Sequence, residues 1–256
     1  MPYSDPLADG PVIQAAATRA LAAGATLDKV LALVKEVRAR ARGLRQRRLT
    51  AAAQVTPTLR APLILFTYYN PILRRGAEKF IAEISAAGVG GLLIPDIPLE
   101  ETAEARQLCA KYGLELVLLA TPTTSSSRME KIAAATNGFV YLVSVTGVTG
   151  IQDKMEERVQ GLVTQLKAVT KKPIAVGFGI SKPEHAKQIA SWGADGVIVG
   201  SALVRALGEA PTPGASDVAA RAVHAVLTAP PFAADGLRQL TALITSLRAA
   251  LPAASR

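Results

Sequence analysis

The sequence has little of what most metal, disulfide and membrane proteins are built from. It carries a single cysteine, two histidines, 4% aromatic residues and no unbroken apolar run near the roughly 18 residues that a membrane-spanning helix needs. The lone Cys109 excludes an intramolecular disulfide and reads as a reducing compartment. His185 and His224 stand far apart with no ligand cluster beside them, so metal catalysis is not expected. With 256 residues, half of them apolar, the chain is long enough for one large core or two small ones, and it reads as a soluble globular protein.

Positive charge is what the chain has in excess. The net charge is +9, and Arg38, Arg40, Arg42, Arg45, Arg47 and Arg48 crowd one Ala/Arg-rich stretch. No aromatic residues interleave with them for base stacking, so the stretch reads as a solvated helix end followed by a basic insertion over 38–60, and not as a nucleic-acid surface.

Short apolar runs recur at 63–69, 91–95, 114–120, 139–144, 173–178 and 196–200. They are continuous, as expected of parallel strands covered on both faces. Amphipathic stretches between them, several closing on glycine, complete a βαβ rhythm. Before the first strand the sequence predicts only helices, one from Pro11 and one capped by Thr26. After the last come SALVRALG, an Ala/Pro-rich insertion over 210–235 and a final helix. The expected fold is α/β, a (βα)8 TIM barrel with six of its eight strands visible: the first βα unit and the second strand are lacking. The expectation is a single domain over 1–256, with two low-complexity insertions.

In such a barrel the loops at the strands' C-terminal ends carry the chemistry, with phosphate held after the last two strands. Gly177 and Gly179 in GFGISKPEH, then Gly200 and Ser201 directly before a helix, occupy that pair of loops. Two consecutive glycine loops in those places favour anion binding over ordinary turns. The GFG stretch is not a dinucleotide fingerprint, since Lys182 stands where a third glycine belongs. SVTGVTGIQDK suits either a lid that closes on substrate or a plain turn. Tyr68, Tyr141 and Phe178, at strand ends, can flank an aromatic substrate or simply pack. Asp9, just before the Pro11 helix, is accounted for by an N-cap or Asx turn. The opening MPYSDPLADGP reads as an elaborate loop with no strand before it.

SDPLADGPVIQAA, FTYYNPIL, PDIPLEE, SVTGVTG, VGFGISKPEH and DGVIVGSALV, in this order, resemble the α subunit of tryptophan synthase, most closely its plastid-type members. The resemblance runs from Pro2 to about Leu207 and resumes over the terminal helix. It implies a TIM barrel that cleaves indole-3-glycerol phosphate by a retro-aldol reaction to indole and glyceraldehyde 3-phosphate. The indole would pass to a β subunit that carries pyridoxal phosphate, and the α chain itself needs no cofactor.

The resemblance further implies that Asp9 is catalytic, holding the indole N–H and stabilising charge on the ring. Tyr68 and Tyr141 would line the indole pocket with Phe178. Gly179, Gly200 and Ser201 would hold phosphate, and Thr149 and Gly150 would belong to the closing lid. Pro2, Asp5, Asn70 and Pro98 would face the β subunit. The second carboxylate of the reaction is a glutamate on the strand preceding this motif, so the 256 residues alone are expected to have negligible lyase activity. Other readings are a stand-alone lyase releasing free indole and a non-catalytic partner that modulates a β subunit. A chloroplast location follows from the resemblance alone.

Overall fold

The computed structural model describes residues 1–47, 61–143, 152–177 and 179–208. Among them are six short strands, and every recorded strand register is parallel. The α/β class and all six strand positions follow the apolar runs of the sequence. No described helix is long and apolar enough to cross a membrane. The described residues form two compact units. One holds Met1–Pro6 and Ala17–Leu116, the other Leu7–Ala16 and the described residues from Val117 on.

In the first unit, helix α2 (Leu27–Arg47) follows α1 (Pro11–Ala22), whose second half lies in this unit. Thr26 Oγ1 accepts the Lys29 N–H at 3.3 Å, the cap the sequence predicts. Helix α2 continues into the arginine-rich stretch, and Arg38 is not simply solvated: its Nε donates to the Gly88 carbonyl at 2.9 Å, closing the end of another helix. The rest of the predicted 38–60 insertion, from residue 48 on, lies outside the described residues, as does all of 210–235.

Strand β1 (Ile64–Phe66) pairs with β2 (Gly91–Leu93) in the register Leu65↔Leu92. The Gly90 carbonyl then receives the N–H of Glu115, where β3 (Glu115–Ala120) begins. All three residues of β2 are buried, as its unbroken apolar run requires. Helix α4 (Ala77–Ala86) buries Phe80, Ile81 and Ile84 completely.

The sequence extended the first strand to Tyr69, but it ends at Phe66 and a helix α3 (Tyr69–Arg75) starts instead. The reason is a distant partner: Asp96 Oδ1 accepts the Tyr69 N–H at 2.9 Å, supplying the first turn with an acceptor that Tyr68 does not provide. Arg75, in the last turn of α3, is then fixed by Asp28 at 2.8 Å and Glu83 at 2.9 Å. A short 3₁₀ turn (Leu99–Glu101) leads to α5 (Ala103–Lys111), which buries Cys109. Burial pushes that thiol up to about 12, so it is an inert core residue.

The second unit continues β3 through β4 (Val140–Val143), β5 (Ile174–Gly177) and β6 (Gly196–Val197). Helices α6 (Ser126–Ala135), α7 (Gln152–Val169) and α8 (Pro183–Ser191) alternate with them, and α9 (Ser201–Gly208) follows. Several helices end before a left-handed glycine as the sequence predicts, with φ of +90° at Gly88, +68° at Gly113 and +91° at Gly193.

In β4 and β5 burial alternates: Val140, Leu142, Ile174 and Val176 are buried, while Tyr141, Val143, Ala175 and Gly177 share a half-buried face. The fully buried Thr136 is paired. Thr136 Oγ1 accepts the Leu118 N–H at 2.9 Å and donates to the Phe139 carbonyl at 3.0 Å. Asp195 accepts from the Ile174 N–H at 2.7 Å and from Lys167 Nζ at 2.6 Å, fixing the entry to β6. Burial works against the charge on Asp195, but these two donors outweigh it and hold its carboxyl below the usual range.

Candidate active site

The face shared by β4 and β5 sets the first feature. Tyr141 pairs in register with Ala175, and Gly177, two residues on, is its diagonal neighbour. A Cβ added at Gly177 would lie 2.4 Å from Tyr141 Oη and 2.6 Å from its Cε2. Glycine at 177 is therefore what lets the ring approach β5 this closely. Burial raises the phenol above its ordinary value, so it stays a neutral donor and acceptor. The sequence singled out both residues without showing that they touch, because the contact is fixed by register.

The glycine loops come next. Strands β5 and β6 are neighbours, with Val176 opposite Val197 and the Ile198 N–H donating to Val176 O. Their C-terminal ends thus present 179–182 and 198–201 on adjacent strands. Gly179 has φ of +49° and is exposed, a conformation that glycine adopts without a Cβ penalty. The Gly200 carbonyl accepts the N–H groups of Leu203 and Val204, which makes Gly200 the residue that starts α9. Ser201 is exposed in the first turn, where N–H groups lack intrahelical partners and the helix end is positive. Two adjacent loops of this kind can receive one phosphate group.

Asp9 also belongs to the second unit. Helix α1 begins at Pro11 with the Gly10 carbonyl accepting the Gln14 N–H, so the N-cap position falls on Gly10 and not on Asp9. The Asp9 carbonyl takes a hydrogen bond from Gln14 Nε2 at 2.8 Å, which fixes its backbone beside the helix. Phe178, Thr149 and Gly150 lie outside the described residues.

In the first unit, Tyr68 is buried at the end of β1. Two residues that the sequence reading did not single out hold its surroundings. The ring of Tyr3 stacks against Tyr68 with centroids 5.3 Å apart, and Tyr3 Oη accepts from Asn70 Nδ2 at 2.5 Å. Asp96, described above, starts the helix that carries Asn70. Tyr3 sits inside the PYSDPLADGP stretch, so its place in that motif was the available signal. Of the expected partner-facing residues, Asp5, Asn70 and Pro98 are exposed and Pro2 is half-buried.

A cavity of about 400 Å³ lies elsewhere in the second unit, between Pro122, Ser125, Ser126, Arg158, Gly161 and Gln165. None of the expected site residues lines it, and the loop geometry outweighs the presence of a hollow. Among the described residues no cluster of three or more His, Cys, Asp or Glu could hold a metal ion.

The arrangement agrees with comparisons to known proteins. A family model described as tryptophan synthase alpha chain matches residues 1–229. A tryptophan synthase alpha chain of Arabidopsis thaliana is 54% identical over 213 residues, which is 83% of this chain and 71% of that protein. One from a Synechocystis strain is 54% identical over 215 residues, covering 84% and 75%. Among solved structures, the tryptophan synthase α2β2 complex from Pyrococcus furiosus has a chain 34% identical, with a TM-score of 0.74 over 97% of this chain and 84% of that one. A tryptophan synthase of M. tuberculosis gives a TM-score of 0.73 at 30% identity, covering 98% and 78%. These neighbours are TIM barrels, in keeping with the barrel that the strand rhythm predicts. The chain belongs to the tryptophan synthase alpha chain family.

Proposed function

We propose that this chain performs the α reaction of its family, a carbon–carbon lyase family of tryptophan biosynthesis, on indole-3-glycerol phosphate. The observation that carries the reading is the placement of Gly179 and Gly200–Ser201 on the ends of two neighbouring strands, where both loops can serve one phosphate. Tyr141, whose ring lies close against Gly177 in β5, supplies an aromatic wall for the indole.

In the reaction a proton reaches C3 of the indole while a base removes the side-chain hydroxyl proton. The bond between C3 and the glycerol chain then breaks, and its electron pair returns to the ring. Asp9 stabilises the positive charge that develops on the indole nitrogen, as an oriented carboxylate can. The partner carboxylate is the glutamate implied by the family. The chemistry runs on acid–base groups alone, so the chain needs no cofactor, and pyridoxal phosphate belongs to the β subunit.

Asp5, Asn70 and Pro98 then form part of the surface that meets a β subunit, as suits a relative described as an α2β2 complex. A chloroplast location accompanies the likeness to the Arabidopsis protein. The test is to incubate the polypeptide with indole-3-glycerol phosphate, alone and with a tryptophan synthase β subunit. A second preparation carries the aligned N-terminal portion of the Arabidopsis relative. Indole and glyceraldehyde 3-phosphate should appear in equal amounts from the extended chain. Binding of substrate without any cleavage, even by the extended chain, would reject the lyase reading.

A further inference from the structure

Helix α8 starts without help from its own N-cap. Lys182 occupies that position in extended conformation (φ −133°, ψ 152°) with no side-chain hydrogen bond to the helix, and Pro183 follows in the first turn. An acceptor nevertheless reaches back over this end. His185, three residues after the cap, takes the Ser181 N–H on its Nδ1 at 3.4 Å. In a capping box a Glu or Gln at this position returns to the cap residue's own amide. Here an imidazole returns to the residue before it, within the 179–182 loop.

The loop is pinned on both sides of that amide. Ile180 is buried at 4% exposure, and the helix that holds His185 is seated through Ala186 and Ile189, both essentially inaccessible. Gly179, with its φ of +49°, is the hinge that remains. Ser181 is thus held by a ring on a seated helix and Ile180 by the core, directly after Gly179.

We infer that His185 is a positioning residue for the phosphate-binding loop: its unprotonated Nδ1 holds the Ser181 amide, and so holds Gly179 in the geometry that receives the substrate's phosphate. This rests on the phosphate assignment made above. Only the tautomer with the proton on Nε2 can accept through Nδ1, so the contact also fixes the ring's protonation pattern. His185 does not touch substrate in this arrangement and carries no step of the chemistry.

The test uses the whole chain with glycerol 3-phosphate as probe, and three substitutions. His185→Asn places its carbonyl oxygen at the δ position that Nδ1 occupies, whereas His185→Gln places its acceptor at the ε position and His185→Ala has none. Calorimetric titration should show glycerol 3-phosphate binding about tenfold more weakly to the Ala and Gln variants, the equilibrium worth of one hydrogen bond. The Asn variant should stay within about twofold of the parent. With ¹⁵N labelling, the only other histidine being His224, the parent's His185 should show an unprotonated Nδ1 and a protonated Nε2.

Equal affinity in all four proteins, or Asn no better than Ala, overturns the inference while leaving the phosphate site intact. A proton on Nδ1 overturns it as well. If the parent chain fails to bind glycerol 3-phosphate, the phosphate assignment itself falls, and this inference with it.

Discussion

Gly177→Ala isolates the contact that shapes the aromatic wall. Gly177 lies in a strand and is not among the glycines with positive φ, so its backbone suits alanine. By chain entropy alone the change would stabilise by about 0.4–1 kcal/mol. The added methyl, however, would stand 2.4 Å, 2.6 Å and 2.9 Å from Oη, Cε2 and Cζ of Tyr141, inside any tolerable separation. The ring must swing away from β5, and overpacking of this kind costs about 1–3 kcal/mol. The clash therefore wins over the entropy, leaving a net loss of about 1–2 kcal/mol. That corresponds to roughly 2–8 °C in Tm for a chain of this size.

A double-mutant cycle separates the clash from other causes. In a Tyr141→Leu background the approaching ring atoms are gone, and the same alanine should be neutral or slightly stabilising. Thermal unfolding of the four proteins, followed by circular dichroism, reads the coupling. An equal fall in Tm in both backgrounds, or no fall with Tyr141 present, would refute the packing argument.

Ser201→Asp should abolish glycerol 3-phosphate binding in titration without lowering Tm, since a carboxylate competes with the anion for the positive end of α9. Asp195→Asn tests the linkage to pH. The folded carboxyl is held below its unfolded value, so its stabilisation is complete above the ordinary aspartate pKa of about 3.9 and is lost as pH falls toward the lower folded value. The variant should be less stable at neutral pH and should lose less Tm than the parent between neutral pH and that acid window. Thr136→Val leaves the Leu118 N–H and the Phe139 carbonyl without their shared hydroxyl in a fully buried site. The expected loss is about 2–5 kcal/mol, read as a lower urea midpoint with an unchanged m-value.

Much of the fold is local and therefore legible in the sequence. The six strands announce themselves as apolar runs, the helices as amphipathic stretches with stops such as Gly113 and Gly193, and Thr26 as a cap. What escapes local reading is set by partners far along the chain. Tyr69 leaves the strand because Asp96, 27 residues on, takes its N–H, and Arg38 leaves solvent because Gly88, 50 residues on, offers a carbonyl. The site divides in the same way. Gly179, Gly200 and Ser201 can be picked out from turn chemistry and their place before helices. The seating of Tyr141 over Gly177 and of Tyr3 over Tyr68 depends on strand register and on the course of the opening loop. Asp9 shows the limit of local logic: α1 opens at the Gly10 carbonyl, and no local pattern decides between a structural and a catalytic role for Asp9.

Turnover by Asp9→Asn tests most directly the proposed role of Asp9 as a catalytic carboxylate in cleavage of indole-3-glycerol phosphate. The comparison should be made in the chain extended with the aligned N-terminal portion of the Arabidopsis relative, with indole release measured under saturating substrate. The Gly10 carbonyl that opens α1 and the Asp9 backbone carbonyl that holds Gln14 are both unchanged by the substitution. Stability should then be unchanged, while loss of an oriented charge at the reacting ring lowers kcat by roughly 10² or more. A variant that releases indole at the parent rate would contradict the account and return Asp9 to a structural role beside the Pro11 helix.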